Sequence, residues 1–138
     1  MTADEIDQFL ATTRQAILLR TNDDGTATGA PVWFDWDGTS VRCFSSATAP
    51  KVRGIERDPR ISMLVTNDVD EPPAWVRFDG TAVVDRDTDA RPLATEVLAP
   101  RYWDLSHPDY AATVEQWRSA PADALVVIRL EPDRIVSS

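Results

Sequence analysis

One lysine, one histidine and one cysteine are all that 138 residues provide of these three types. A single cysteine, Cys43, rules out an internal disulfide, and no second Cys or His lies near it in sequence to build a zinc site. On a strand it reads as a small packing residue of the core. His107, placed before Pro108 at an expected helix start, reads as a capping or exposed residue. Without a second candidate base, a Ser-His-Asp triad has no support. Only five glycines occur. None forms a G-x-G-x-x-G after a strand, a phosphate loop or a G-x-S-x-G elbow. No apolar run is long enough to span a membrane. The opening "MTADEIDQFLATTR" is acidic and amphipathic, unlike a signal peptide, and a cytoplasmic protein is expected. Acidic residues outnumber basic ones by 23 to 14, for a net charge of −9. Such a surface repels phosphate backbones, so nucleic acid is not an expected partner.

What remains is an ordinary globular composition, expected to form one domain over residues 1–138. Thr2 followed by Glu5 makes a capping box, and Ile6, Phe9 and Leu10 follow at helical spacing. Strands are expected at 15–21, 26–36, 40–45, 60–67, 74–84 and 123–137. "NDDG" (Asn22–Gly25) and "DG" (Asp37–Gly38) supply turns between the first of them. Along 74–84 the alternation sets Trp75, Arg77 and Asp79 against Val76 and Phe78 on the other face. A short helix is expected from Pro50 to about Asp58, because Pro suits the first helical position and Pro59 ends the segment. Two further helices are expected at 85–100 and 107–119, with "RYWDLS" as a loop between them. Short strands joined by tight turns predict a mainly β, α+β fold: a small antiparallel barrel or sandwich of about six strands with peripheral helices.

A chain so poor in reactive side chains does chemistry through a cofactor if it does any. One stretch could hold such a group. Lys51, the sole lysine, stands in the first turn of the Pro50 helix, where N–H groups and the helix dipole favour an anion. Ser45, Ser46 and Thr48 offer hydroxyls just before it, and Arg53 adds a second cation. On spacing alone the competing reading stays open: a helix whose basic residues answer nearby carboxylates.

Three stretches in order resemble the flavin/deazaflavin oxidoreductase superfamily, the split β-barrel group that includes pyridoxamine 5'-phosphate oxidase-like proteins. They are "DGTATGAPVWFDWDG" from Asp24, "FSSATAPKVRGIERDPRISMLV" from Phe44 and "WVRFDGTAVV" from Trp75. The resemblance implies a split antiparallel barrel acting as a homodimer, with a flavin-type cofactor in a groove between the subunits. It implies that the cofactor lies along Ala30, Pro31, Val32, Trp33 and Phe34. Its phosphate would meet Ser45, Ser46, Pro50 and Lys51, with Arg53 and Arg57 as a basic rim and Trp75 contributed by the second subunit. Pyridoxamine phosphate oxidases of this group hold FMN with an arginine and a lysine where this chain has Ala30 and Asp35, and carry a glutamine where it has Trp75. The "PVWF…WDG" and "KVRGIERDPR" forms are closer to the branch that binds coenzyme F420. From that branch the chain departs at Ala49, where some members are basic, and at Gly54, where asparagine is usual. The function implied is F420-dependent hydride transfer to a small electron-poor organic substrate. The alternatives are an FMN-binding reductase of the same group and a carrier that holds flavin or F420 without turnover. Haem binding on this scaffold would have His107 as its only histidine ligand.

Overall fold

The computed structural model describes residues 1–138. Helix α1 (Ala3–Ala11) opens the chain, with the Thr2–Glu5 capping box in place. Strands β1 (Ala16–Thr21) and β2 (Ala27–Val32) form a hairpin. Gly25 at its tip has a φ of 86°, a conformation that a side chain would strain. Then come β3 (Asp35–Trp36), β4 (Val41–Ser46), helix α2 (Pro50–Arg57), β5 (Arg60–Thr66) and β6 (Trp75–Asp85). A π-helical stretch, Leu93–Leu98, runs into α3 (Ala99–Tyr102). Helix α4 (Pro108–Ser119) and the long strand β7 (Leu125–Ser137) complete the chain.

All seven strands join one antiparallel sheet in the order β2-β1-β5-β6-β7-β4-β3. Its two edges, β2 and β3, are consecutive in sequence and only Trp33 and Phe34 separate them. Two residues cannot cross a flat seven-stranded sheet. The sheet therefore curls until its edges approach, which is the split barrel. The expected single strand over 26–36 breaks at Trp33–Phe34 for this reason. Tyr102 bridges the split: the Phe34 N–H donates to its hydroxyl at 3.1 Å, and the hydroxyl donates to the Arg14 carbonyl.

Inside the curl lies the core. Phe34, Phe78, Leu18, Met63, Val65, Ile128 and Leu130 are fully or almost fully buried in one cluster. Each such side chain contributes roughly 1.5–3 kcal/mol by leaving water. Cys43 belongs to this cluster, as its strand position suggested. Strand β6 buries Val76 and Phe78 and leaves Trp75, Arg77 and Asp79 half-exposed on the outer face. Pro132 fits within β7 because it stands opposite Gly80, at a register shift of the β6–β7 ladder, where a missing N–H does least harm.

The helix expected over 85–100 begins later, at Arg91. Asp85 closes β6, and its carboxylate accepts from the Asp87 and Thr88 N–H groups, both at 3.0 Å. Asp89 then accepts from the Arg91 N–H at 3.0 Å. These side-chain bonds give the backbone turns in place of helix. No helix is long and apolar enough to cross a membrane.

Candidate functional site

Where β2 ends and the barrel splits, a cavity of about 310 Å³ opens. Pro31, Val32 and Trp33 line one side, and Phe44 of β4 and Lys51 of α2 line another. Gln15, Trp103 and Trp117 complete it. Helix α2 starts at Pro50 and carries Lys51 in its first turn, after the extended residue Ala49. The Val52 and Arg53 N–H groups of that turn are directed at the Ala49 carbonyl, at 3.0 and 3.4 Å.

Four residues from the sequence analysis, Pro31, Val32, Trp33 and Lys51, thus meet at one cavity. Ala30 and Pro31 lie exposed on edge strand β2, while Phe34 is buried in the core and offers the site only backbone. Ser45 is buried and its hydroxyl donates to the Ser46 carbonyl at 3.1 Å. Ser46 is exposed, its hydroxyl 3.4 Å from that of Thr48. Pro50 and Arg53 are exposed. Arg57 pairs with Asp23 in the β1–β2 turn. Trp75 stands apart from the cavity, half-buried, its N–H and carbonyl both bonded to Ser138 at 3.1 Å. Asp35 is engaged across the β3–β4 pair by Arg42, with an Nε–Oδ2 distance of 3.2 Å.

Charge pairing sets Lys51 apart. Every arginine except Arg20, Arg53 and Arg101 has a carboxylate within 4.0 Å. Arg101 donates instead to the Leu10 and Thr12 carbonyls. Lys51 has no carboxylate partner, in a chain where carboxylates are in large excess. The reading in which its charge simply answers a nearby carboxylate is therefore not what the structure contains.

The aromatic wall comes largely from a region the sequence analysis did not tie to the site. Trp33 stacks on Tyr102, with ring centres 5.0 Å apart, and meets Trp103 edge-on at 4.7 Å. Trp103 in turn stacks with Trp117 at 5.7 Å and with Tyr110 at 4.5 Å. "RYWDLS" carried no pattern that placed Trp103 there. The one available signal was the concentration of large rings, Tyr102, Trp103, Tyr110 and Trp117, in two short segments. His107 caps α4, its Nδ1 accepting from the Asp109 N–H at 3.2 Å, as its place before Pro108 suggested.

The site has no nucleophile and no metal ligands of its own. Burial pushes the Cys43 thiol up to about 12, which leaves it inert. No three His, Cys, Asp or Glu side chains converge. A larger concavity, about 680 Å³, lies on the outer face of the sheet around Ser62, Arg77, Asp79 and Arg134. Its charged groups bond one another: Asp79 accepts from Ser62 at 2.7 Å, from Arg77 at 2.8 Å and from Arg134 at 2.8 Å. The smaller cavity is the better ligand site, because its ammonium has no partner and its walls are flat rings. That donor set fits a planar group bearing an anion.

A curled antiparallel sheet whose edges meet at a cleft of this kind is a split barrel. Residues 2–136 match the pyridoxamine 5'-phosphate oxidase family, and the chain belongs to it. No curated protein matches by sequence. Among solved structures, an F420 reductase superposes with a TM-score of 0.73 at 23% identity, over 94% of this chain and 94% of its own. A conserved hypothetical protein from Mycobacterium tuberculosis gives 0.74 at 24%, over 99% and 84% of the two chains. A putative pyridoxamine 5'-phosphate oxidase from Listeria innocua gives 0.72 at 19%, over 99% and 98%. These likenesses establish the fold.

Proposed function

We propose that the protein is an oxidoreductase that binds coenzyme F420 in preference to FMN and passes a hydride to a small electron-poor organic substrate. The observation that carries the reading is the meeting of unpaired Lys51 with Pro31, Val32 and Trp33 at one cavity. When bound, the cofactor supplies the hydride chemistry that the chain lacks. Lys51 holds the cofactor phosphate, with the Ser46 hydroxyl and Arg53 beside it. The end of β2 forms the floor for the ring. Trp33, Trp103 and Trp117 exclude water and give a flat acceptor something to stack against.

The preference for F420 rests on what β2 and β3 lack. Ala30 has no charge to offer a phosphate, and Asp35 is committed to Arg42. An FMN site built from two cations at these positions is therefore missing, while Lys51 and Arg53 leave room for a longer anionic chain. A second copy of the chain is part of the reading, since Trp75 reaches such a cofactor only from another subunit. Titration of the purified protein with F420 and with FMN, followed by cofactor fluorescence, tests it. Tighter binding of F420 is expected, and a clear preference for FMN overturns the assignment. Binding of F420 without reduction of any of a panel of enones and quinones would make the protein a carrier instead.

A further inference from the structure

The cavity at Lys51 has a neighbour. A second chamber, of about 380 Å³, lies beyond Gln15 and is lined by Thr13, Arg14, Ile17, Thr66, Asp68 and Tyr102. Three features join the two spaces. Gln15 lines both of them, and its carboxamide bonds no other group of the protein. Ile17 of the chamber stands directly opposite Pro31 of the cavity across the β1–β2 pair. Tyr102 of the chamber stacks on Trp33 of the cavity, with ring centres 5.0 Å apart. The cavity alone, about 310 Å³, is near the bottom of the range of roughly 300–1,000 Å³ for ligand pockets. That is room for one planar group. A hydride donor and its acceptor together need the space that the chamber adds.

The chamber offers mostly acceptors. Arg14 is its only cation, and that guanidinium is buried and committed. It donates to both carboxylate oxygens of Glu71, with an Nη2–Oε2 distance of 2.8 Å, and to the Phe9 carbonyl at 3.3 Å. Asp68 lies 3.8 Å from the same guanidinium, too far for a hydrogen bond, and its carboxylate accepts none. One cation thus faces two carboxylates, and the balance is one negative charge. The Thr13 and Thr66 hydroxyls donate to the Arg101 and Asn67 carbonyls, each at 3.4 Å, which leaves their lone pairs free. The loop that carries Asp68 is pinned. Glu71, held by Arg14, accepts from the Asp68 N–H at 2.9 Å, and the Asn67 N–H donates to the Ala74 carbonyl at 2.9 Å. The cleft is therefore sorted by charge: unpaired Lys51 in the cavity, a carboxylate without a hydrogen bond in the chamber, and Gln15 between them.

We infer that the chamber beyond Gln15 receives the side chain of the hydride acceptor, and that this acceptor is a cation: a flat, electron-poor quinone or enone whose substituent ends in a protonated amine paired with Asp68. The inference rests on the reading of the Lys51 cavity as the cofactor site. The acceptor's double bond gains the hydride at one end and a proton from water at the other, the reduced cofactor being the donor. Gln15 donates an amide N–H to the acceptor's carbonyl at the junction of the two spaces. The ammonium N–H groups meet the Asp68 carboxylate and the free lone pairs of Thr13 and Thr66. An acceptor that ends in a carboxylate is repelled by the same group. A surface with a net charge of −9 adds to the attraction for the cation and to the repulsion of the anion.

The test uses three 1,4-naphthoquinones that differ only at the end of one side chain: an ammonium, a hydroxyl or a carboxylate. Binding to the cofactor-free protein is read from quenching of tryptophan fluorescence at low salt, and turnover from KM and kcat with reduced F420. Asp68 is largely exposed, so a modest preference is expected: the wild type favours the ammonium compound over the hydroxyl compound about three- to fivefold, in Kd and KM rather than in kcat. Asp68→Asn is expected to abolish that preference, and Asp68→Lys to turn it toward the carboxylate compound. Asp70→Asn removes a charge from the same loop outside the chamber and is expected to leave the preference intact. If the wild type binds all three compounds alike, or Asp70→Asn lowers the preference as much as Asp68→Asn does, the inference is overturned. A separate titration with F420 judges the cofactor reading. Failure of F420 to bind removes that reading, while a preference that Asp68→Asn abolishes in the cofactor-free protein upholds the chamber as a cation site.

Discussion

The Tyr102 hydroxyl lies 3.1 Å from the Phe34 nitrogen, and this bond joins the C-terminal helices to the point where the barrel splits. Phe34 sits between β2 and β3, so its N–H has no strand partner there. Tyr102→Phe is expected to leave that N–H and the Arg14 carbonyl unsatisfied while keeping the ring in place. A loss of about 1–3 kcal/mol in stability follows, read from urea unfolding. An unchanged midpoint would mean that water replaces the phenol at no cost. Because the Tyr102 ring also backs Trp33, the fluorescence of the aromatic cluster should change as well.

Much of this arrangement was legible in the sequence, and the omissions have physical causes. Alternation along 74–84 assigned Val76 and Phe78 to the core, and both are buried. Pro50 and Pro59 bracketed α2 to within a residue. The break at Trp33–Phe34 was not legible, because closure of the barrel produces it and no local propensity does. Trp103 and Trp117 were missed for a similar reason. Their place at the cavity depends on how α3 and α4 pack back over the sheet, across many residues of separation. Gly54 was visible as a departure from the family, but only the structure shows that a side chain there would collide with Arg20 of β1.

Asp79 governs acid stability on the outer face. Hydrogen bonds from Arg77, Ser62 and Arg134 hold its carboxyl well below the usual carboxylate range, the Arg77 contact foremost. A folded-state pKa below the unfolded value contributes stability above the unfolded pKa of about 3.9, and that contribution is lost as pH falls toward the folded value. The stability difference between wild type and Asp79→Asn is therefore expected to be constant above about pH 5 and to shrink steadily below about pH 4. Urea unfolding across that range checks it. A difference that stays constant into strong acid would remove Asp79 from the acid transition.

Cys43 should be silent in the native protein. It is fully buried, with its thiol pushed up to about 12, and at pH 8 it presents neither access nor thiolate. A chromogenic disulfide reagent is expected to label it only after denaturant is added. Prompt labelling of native protein would show that β4 opens readily beside the cleft that Phe44 lines.

A homodimer is expected through the outer face of the sheet. Pro31, Ile17, Leu64, Arg77 and Val136 stand side by side across five neighbouring strands, and none is fully buried. Sedimentation at micromolar concentration should give twice the 15.3 kDa chain mass, and Leu64→Glu should shift it to the monomer. A stable wild-type monomer would count heavily against a cofactor groove shared between subunits, and against any role for Trp75 in it.

Lys51 and Arg134 make the sharpest comparison for the site. Both are cations on a surface rich in carboxylate, but Lys51 lines the cavity unpaired whereas Arg134 is bonded to Asp79 at 2.8 Å on the outer face. Lys51→Ala should therefore weaken cofactor binding far more than Arg134→Ala. A charged contact with phosphate is worth about 1.5–3 kcal/mol, which corresponds to roughly a ten- to hundredfold rise in Kd. Added salt should weaken the wild-type complex, because Lys51 is half-exposed and part of its attraction is screened. Lys51→Arg keeps the charge but changes its reach and shape, so partial recovery is expected. Equal binding by Lys51→Ala and wild type at low salt would reduce the chain's one lysine to an ordinary surface residue.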